Sequence, residues 1–468
     1  MVFTLLVPAG CGQARSQRAG ACTTVFQPGS SWASIGSALS SAGASVCLDA
    51  GSYPEGTLAD VAPSRPSTLR AAPGALVTVE GLQIVGNDPA SSNLTIEDLH
   101  FSDRVAVREY GSHIAFRHNT VDGSGREIGA FEVIGSAAVG ASYISFEDNL
   151  MEHLECGASC QAPVGACGTF LGNVSHITFS HNVCGPYISA HYTQAGGIRH
   201  LDEQYNTFLG PSARYRTKTP GDEEGTHQNV LQVFHSSEYV TFSNNVVRNT
   251  GANGNSILLE NTPEPGGGLA SYKHTVFENN LFERDADGQG PGFCPQEGLI
   301  FRYNTEVISI PEASFAGTVF SEQSSAAETS GCTAGRDYRI QHNLFVEIPC
   351  THIVPGFVEG GVKREGQPCT GRASADLVYG GSGPGLACSR SCHVDHNVSS
   401  DRSAAVPGST HSIPDWAPGN PKGWARRFTQ TEMGPYGLRS HAWKAKRLPF
   451  PAGYRGGGGA PAGVGAPP

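Results

Sequence analysis

A seven-residue phrase recurs through the middle of this chain, and it limits the possible folds more than any other feature. It opens on His or an aromatic residue, continues apolar, any, apolar, and closes on two polar residues and Asn. The copies are His113-Ile-Ala-Phe-Arg-His-Asn119, Tyr143-Ile-Ser-Phe-Glu-Asp-Asn149, His176-Ile-Thr-Phe-Ser-His-Asn182, Tyr239-Val-Thr-Phe-Ser-Asn-Asn245 and His274-Thr-Val-Phe-Glu-Asn-Asn280. Gly298-Leu-Ile-Phe-Arg-Tyr-Asn304 keeps the same centre. Degenerate copies end at Asn206, Asn343 and Asn397, and an earlier one, Leu94-Thr-Ile-Glu-Asp-Leu99, has Leu in place of Asn. In Ile-x-Phe the apolar residues alternate with period two, so both face one side of a strand. Asn tolerates left-handed backbone and hydrogen-bonds in turns, so it ends that strand. Successive Asn lie 30, 33, 24, 39, 35, 24, 39 and 54 residues apart, which predicts bare coils at the short spacings and loop-bearing coils at the long ones. Such self-similarity is the mark of a stacked solenoid. Stacking predicts that the Asn side chains form a column, each bonding the next.

A second strand precedes each phrase, as in Phe131-Glu-Val-Ile134, Thr169-Phe-Leu171, Val230-Leu-Gln-Val-Phe234, Ile257-Leu-Leu-Glu260 and Thr318-Val-Phe-Ser-Glu322. A short turn such as Gly172-Asn-Val-Ser175 joins the two. Two or three short strands per turn, repeated, make an all-β parallel β-helix. Ten coils at about 4.8 Å each give a rod of roughly 50 Å. In the degenerate copy ending at Asn206, Glu203 falls where the other copies place an inward Phe. A buried unpaired carboxylate is costly, so either the register shifts there or Glu203 finds a partner such as Arg199.

Solenoid ends expose sheet edges and need covers. Residues 30–39 fit an amphipathic cap helix with Trp32, Ile35 and Leu39 on one face, flanked by Cys22 and Cys47, which are positioned for a bridge. The expected organisation is an export signal and linker over 1–22, a cap over 23–50 and the β-helix over 51–400, with 69–79 as its first coil. A covering segment over 401–455 carries Trp416, Trp424, Trp443 and a basic excess, and a disordered Gly/Pro/Ala tail fills 456–468.

The bulk numbers agree with this. There are 60 Gly and only 16% charged residues, as frequent turning requires. The net charge of −11 argues against a nucleic-acid partner, because an acidic chain repels phosphate backbones. No apolar run of about 20 residues exists to span a membrane. The opening Met1-Val-Phe-Thr-Leu-Leu-Val-Pro-Ala-Gly-Cys11 resembles the end of a bacterial lipoprotein signal, with Cys11 as a possible lipid anchor. Of the 13 cysteines, Cys156/Cys160, Cys350/Cys369 and Cys388/Cys392 read as local disulfide pairs. This suits an extracellular or cell-surface protein, expected to be a monomer.

The repeats resemble those of right-handed β-helix proteins of the pectate-lyase-like superfamily, over roughly residues 45–400. That resemblance implies a right-handed, single-stranded parallel β-helix and a polysaccharide partner. It leaves the reaction open, because the superfamily hosts lyases, hydrolases, epimerases and non-catalytic adhesins. The densest polar stretch lies between Asn182 and Asn245, where a long loop meets a rigid scaffold. His227-x-Asn229-x-Leu-Gln232 is similar to a His-x-Asp-x-Ile-Gln run of bacterial members, with Asn229 replacing the Asp. The favoured expectation is a lyase that cleaves uronate polysaccharide by β-elimination. Lys218, Arg216 or His227 is its base, and Asp222, Glu223, Glu224 and Asp202 are hard oxygen ligands for Ca2+. Arg199, Gln232, Glu260, His191 and Tyr192 are the expected substrate contacts. A hydrolase would need flanking carboxylates, such as Asp202 with Asp222. An epimerase would share the lyase's first step. A glycan-binding surface protein would need none of this chemistry.

Overall fold

In the computed structural model of the chain, the described residues are 21–124, 128–136, 140–154, 166–185, 192–209, 229–248, 257–260, 268–284, 291–294, 296–302, 304–308, 321–322, 336–341, 344–346, 393–395 and 398–400. They form a right-handed parallel β-helix, with every registered strand pair parallel among them. Twenty strands join in one sheet and 12 in another. Each coil has three faces. The first and second belong to the larger sheet, because long strands such as Val105–Arg117, Gly168–Ser180 and Thr193–Gln204 turn a corner and run through both. The third face is the smaller sheet, with strands such as Thr120–Asp122, Leu150–Glu152 and Val183–Cys184.

The repeat phrase is the second face and its two corners. Ile114, Ile144, Ile177, Leu201 and Val240 stand in register, as do Phe116, Phe146 and Phe179, and all are buried. The Phe rings pack on one another, Phe116 on Phe146 at 5.1 Å between centroids. The corner before this face falls on the phrase's first residue, which takes left-handed φ at His113, Tyr143, His176, His200, Tyr239 and His274. These rings stack into one ladder at 4.4–4.9 Å spacing, exposed at His113, Tyr143, Tyr239 and His274 and half-buried at His176 and His200. The stacking offsets a backbone conformation that bulky residues rarely adopt. The corner after it falls on the residue preceding Asn, also left-handed at His118, Asp148, His181 and Tyr205.

The Asn column is present. Asn119, Asn149, Asn182, Asn206, Asn245, Asn280 and Asn304 are buried, and each of the first six donates from backbone N and Nδ2 to Oδ1 of the next. Leu99, lacking the amide, tops the column by donating its backbone N–H to Asn119. Asn343 and Asn397 lie outside the described residues.

Some expectations are revised. The segment Gly172–Ser175 is no separate turn: left-handed Gly172 makes a corner inside one continuous strand, Gly168–Ser180. The cap does not precede the rod either. Thr24–Phe26 already pairs in parallel with Ser45–Leu48, so the first rung lies ahead of the helix. The helix itself, Trp32–Leu39, is capped by Ser31 and buries Ile35 and Leu39. Trp32 donates from Nε1 to the Pro54 carbonyl. Cys22–Cys47 is bridged as expected, and a second disulfide, Cys167–Cys184, joins the first and third faces within the rod. The pairs proposed among Cys156, Cys160, Cys350, Cys369, Cys388 and Cys392, together with Cys11 and residues 401–468, lie outside the described residues.

Candidate functional site

The first face presents an outward column that is polar for several coils. Its strands alternate: Phe131 and Val133, Phe170, Ala195, and Leu231 and Val233 point into the core. The residues between them point out, and in register they are Glu132, Thr169, Gln194 and Gln232. Glu260 follows the next strand, Ile257–Leu259, on the same outward side. Outward residues are ordinarily wet, yet Glu132, Thr169 and Gln194 are almost fully buried. The column is therefore the floor of a shielded strip.

Its hydrogen bonding is directional and incomplete. Gln194 donates from Nε2 to Gln232 Oε1 at 3.0 Å, and Gln232 donates from Nε2 to Glu260 Oε2 at 2.9 Å. At the other end Arg108 donates to Glu132, and Arg104 stands 4.0 Å from its second oxygen. Burial pushes the Glu132 carboxyl up from its ordinary range, and the Arg108 and Arg104 charges oppose that shift. Between these paired ends, Thr169 Oγ1 and Gln194 Oε1 are buried with no hydrogen-bond partner. Buried polar atoms are nearly always satisfied, so adjacent orphans on one strip call for a partner from outside the described chain.

The expected site residues fall into three groups. Gln232 and Glu260 are brought together, as described. Arg199 lies between left-handed Gly197 and the His200 corner, and Asp202 lies on the second face beyond that corner. Arg199 is mostly exposed and pairs with Glu238 at 3.8 Å, while Asp202 accepts from Gln204. Burial raises the Asp202 carboxyl from its ordinary range, against the Gln204 bond. Tyr192 is corrected: it is wholly buried inside the rod, with its hydroxyl donating to the Leu209 carbonyl at 2.7 Å, where no polymer reaches. Lys218, Arg216, His227, His191, Asp222, Glu223 and Glu224 lie outside the described residues. In chain order, residues 210–228 connect the third-face strand Thr207–Leu209 to the first-face strand Leu231–Phe234 that carries Gln232. Asn229, at the end of that connection, is buried, and its carbonyl accepts the backbone N–H of Tyr192.

The sequence reading missed Glu132, Thr169 and Gln194. The signal was present, because each is a polar residue between inward apolar or small neighbours on the strand preceding a repeat phrase.

Among the described residues, one group offers metal-ligating atoms within 4.8 Å of one another: Asp122, Glu152 and His153. It belongs to the third face, where Asp122 and Glu152 are paired and His153 Nδ1 lies 3.1 Å from Asp122 Oδ1. Two carboxylates and an imidazole suit a transition metal better than Ca2+, which takes oxygen ligands.

No family model and no curated protein matches the chain. Solved structures do. The PL6 family alginate lyase AlyGC is similar at 12% identity and TM-score 0.42, covering 74% of this chain and 46% of its own. This chain thus spans about half that enzyme's length. The Azotobacter vinelandii mannuronan C-5 epimerase AlgE4 A-module is similar at 14% identity and TM-score 0.36, over 68% and 84%. The catalytic unit of a GH87 α-1,3-glucanase from Streptomyces thermodiastaticus is similar at 11% identity and TM-score 0.31, over 71% and 64%. The strand ladders of this chain by themselves give a parallel β-helix.

Proposed function

We propose that this protein acts on a uronate-containing polysaccharide along the outward column of the first face, cleaving it by β-elimination. The observation that carries the reading is the polar strip itself: Gln194, Gln232 and Glu260 are hydrogen-bonded in series across three coils, and Gln232 and Glu260, its half-buried members, face outward. A hydroxylated polymer laid along this face can bond to those two side chains. Placing the chemistry beside the strip is supported by chain order, because residues 210–228 lead directly into the strand of Gln232.

In this reading Lys218, His227 or Arg216 takes the proton α to the uronate carboxylate, the freed electron pair forms a double bond to the neighbouring carbon as that carbon's bond to the glycosidic oxygen breaks, and the departing oxygen takes a proton from water. Proton removal needs a base within hydrogen-bond reach and a way to hold the carboxylate's developing charge. Ca2+ held by Asp222, Glu223 and Glu224 would neutralise that carboxylate and reconcile an acidic protein with an acidic polymer. Asp202, already engaged by Gln204 on the second face, is the least suited of the proposed ligands. Gln232 and Glu260 orient the sugar. The disulfides Cys22–Cys47 and Cys167–Cys184 fit an exported, extracellular protein, and a lipid anchor at Cys11 would hold it at the cell surface.

The test is ultraviolet absorbance from unsaturated uronate ends. The full chain is incubated with a panel of uronate polysaccharides, with Ca2+ or with chelator. The expected result is a Ca2+-dependent rise that is lost in Lys218→Ala or His227→Ala and weakened by Gln232→Ala through KM. New reducing ends without unsaturation would replace the lyase by a hydrolase. Exchange of solvent deuterium into an uncut polymer would make it an epimerase. Polymer binding without any product would make it a glycan-binding protein.

A further inference from the structure

The outward side of the first face carries a second column beside the polar one. Two residues further along each strand it runs, in register, Arg108, Ile134, Leu171, Gly196 and Phe234. Glu260 continues it on the next coil, donating its backbone N–H to the Val233 carbonyl. Ile134, Leu171 and Phe234 are half-buried, as are the charged residues at the two ends. The rod thus bears an apolar row that starts at a cation and stops at an anion.

Phe234 and Gly196 form one feature of this row. A Cβ at Gly196 would lie 2.4 Å from Phe234 Cε2 and 2.9 Å from Cδ2 and Cζ. The phenyl ring therefore lies over the Gly196 backbone, one coil away, in space that any other residue would fill. Gly196 is not among the left-handed glycines, so its missing side chain makes room for the ring and serves no turn. The His235 ring meets the phenyl ring edge-on, with centroids 5.1 Å apart and planes at 71°. Gly196 is buried beneath, whereas Phe234 keeps part of its surface in solvent. Hydrogen-bonding groups border the ring. Gln232, two residues back on the same strand, gives one of its two amide hydrogens to Glu260 Oε2 at 2.9 Å. The Glu260 carboxylate, one coil on, has lone pairs left to accept more.

We propose that Phe234 is a stacking platform for one sugar unit of the polymer, seating the unit's C–H face while Gln232 and Glu260 bond its hydroxyl edge. The inference rests on the polysaccharide reading above and adds to it the residue that seats a sugar. A pyranose is amphipathic in the same way as this corner of the rod. Its C–H hydrogens are slightly positive and are drawn to the negative face of an aromatic ring, while its hydroxyls stand at the edge. An apolar peptide laid on the same row would bury the Glu260 carboxylate without a partner, which is costly. Sugar hydroxyls donate to that carboxylate instead. Its charge repels a uronate carboxylate, so the seated unit turns its own carboxylate away from Glu260.

The experiment is affinity electrophoresis of the full chain in gels cast with polygalacturonate, polymannuronate or hyaluronan, with Ca2+ or chelator. At least one polymer is expected to retard the natural chain. Phe234→Leu keeps the apolar bulk without the flat face, and is expected to bind that polymer about three- to tenfold more weakly. Phe234→Tyr is expected to bind as the natural chain does. Gly196→Ala keeps the phenyl ring but displaces it, and is expected to weaken binding as well. One further measurement needs no variant: in NMR spectra with the natural chain, C–H protons of a tetrasaccharide of the retarding polymer are expected to shift upfield, as protons above an aromatic face do. Unshifted C–H protons, or Phe234→Leu binding as tightly as the natural chain, would overturn the platform and leave the polysaccharide reading standing. A natural chain that no polymer retards, and that acts on none, removes both.

Discussion

Asn182 shows how much one residue does in this fold. Its Oδ1 accepts the backbone N–H and Nδ2 of Asn149, and its own Nδ2 donates to the Phe146 carbonyl at 2.9 Å. Asn182→Ala therefore leaves buried backbone groups unmet, and a loss of about 1–3 kcal/mol is expected in denaturant unfolding. The exposed Arg117–Glu147 pair, at 3.1 Å, contrasts with it: Arg117→Ala is expected to cost less than about 1 kcal/mol. His176 adds a pH dependence to the stability of the rod. Burial, then the neighbouring His200 and Arg199, hold its imidazole below the ordinary value. The folded state takes the proton less readily than the unfolded chain, whose His titrates near about 6.5. Stability is thus full above that value and falls as pH drops through it toward the lowered folded value. The melting temperature is expected to fall on acidification, and less so in His176→Gln; equal slopes would contradict this.

At the scale of the strand, register converts single choices into columns. Arg70, Glu97, Arg117 and Glu147 alternate in sign along the second face, and Arg199, Glu238, Lys273, Glu297 and Arg336 do so beside the ring ladder. Like charges opposite one another on paired strands are destabilising, so alternation is the arrangement that lets charged residues stack. Corners impose a different rule. Gly172 has φ +80°, and a Cβ there would lie 2.4 Å from the Gly135 carbonyl oxygen on the neighbouring coil. Gly172→Ala is expected to destabilise by about 1–3 kcal/mol, because neither the backbone conformation nor the space admits a side chain.

Across the whole molecule, stability is a sum over neighbouring coils, so the ends matter disproportionately. The first rung is held by Cys22–Cys47, which closes a loop of 25 residues and ties the chain ahead of the helix to the second strand. Replacing both cysteines is expected to remove about 3 kcal/mol from this end. The measurement is calorimetry together with limited proteolysis. An earlier first transition is expected, with cleavage near the helix Trp32–Leu39 while the middle coils remain protected. A single transition lowered uniformly would show that the rod melts as one unit.

The sequence by itself determined the class of fold, because a period-two apolar pair followed by Asn states both the strand and its end, and repetition states the stacking. It also marked Glu203 as an exception and Gln232 with Glu260 as surface groups. It could not say that Glu203 stays in register, because that depends on backbone pairing with Phe179 and Phe242 from distant segments. Nor could it place Tyr192 in the core or Glu132, Thr169 and Gln194 in one strip. Residues tens of positions apart become neighbours only when loops of unequal length return the chain to the same face. Local pattern decides which way a side chain points; only the stacked coils decide what stands above and below it.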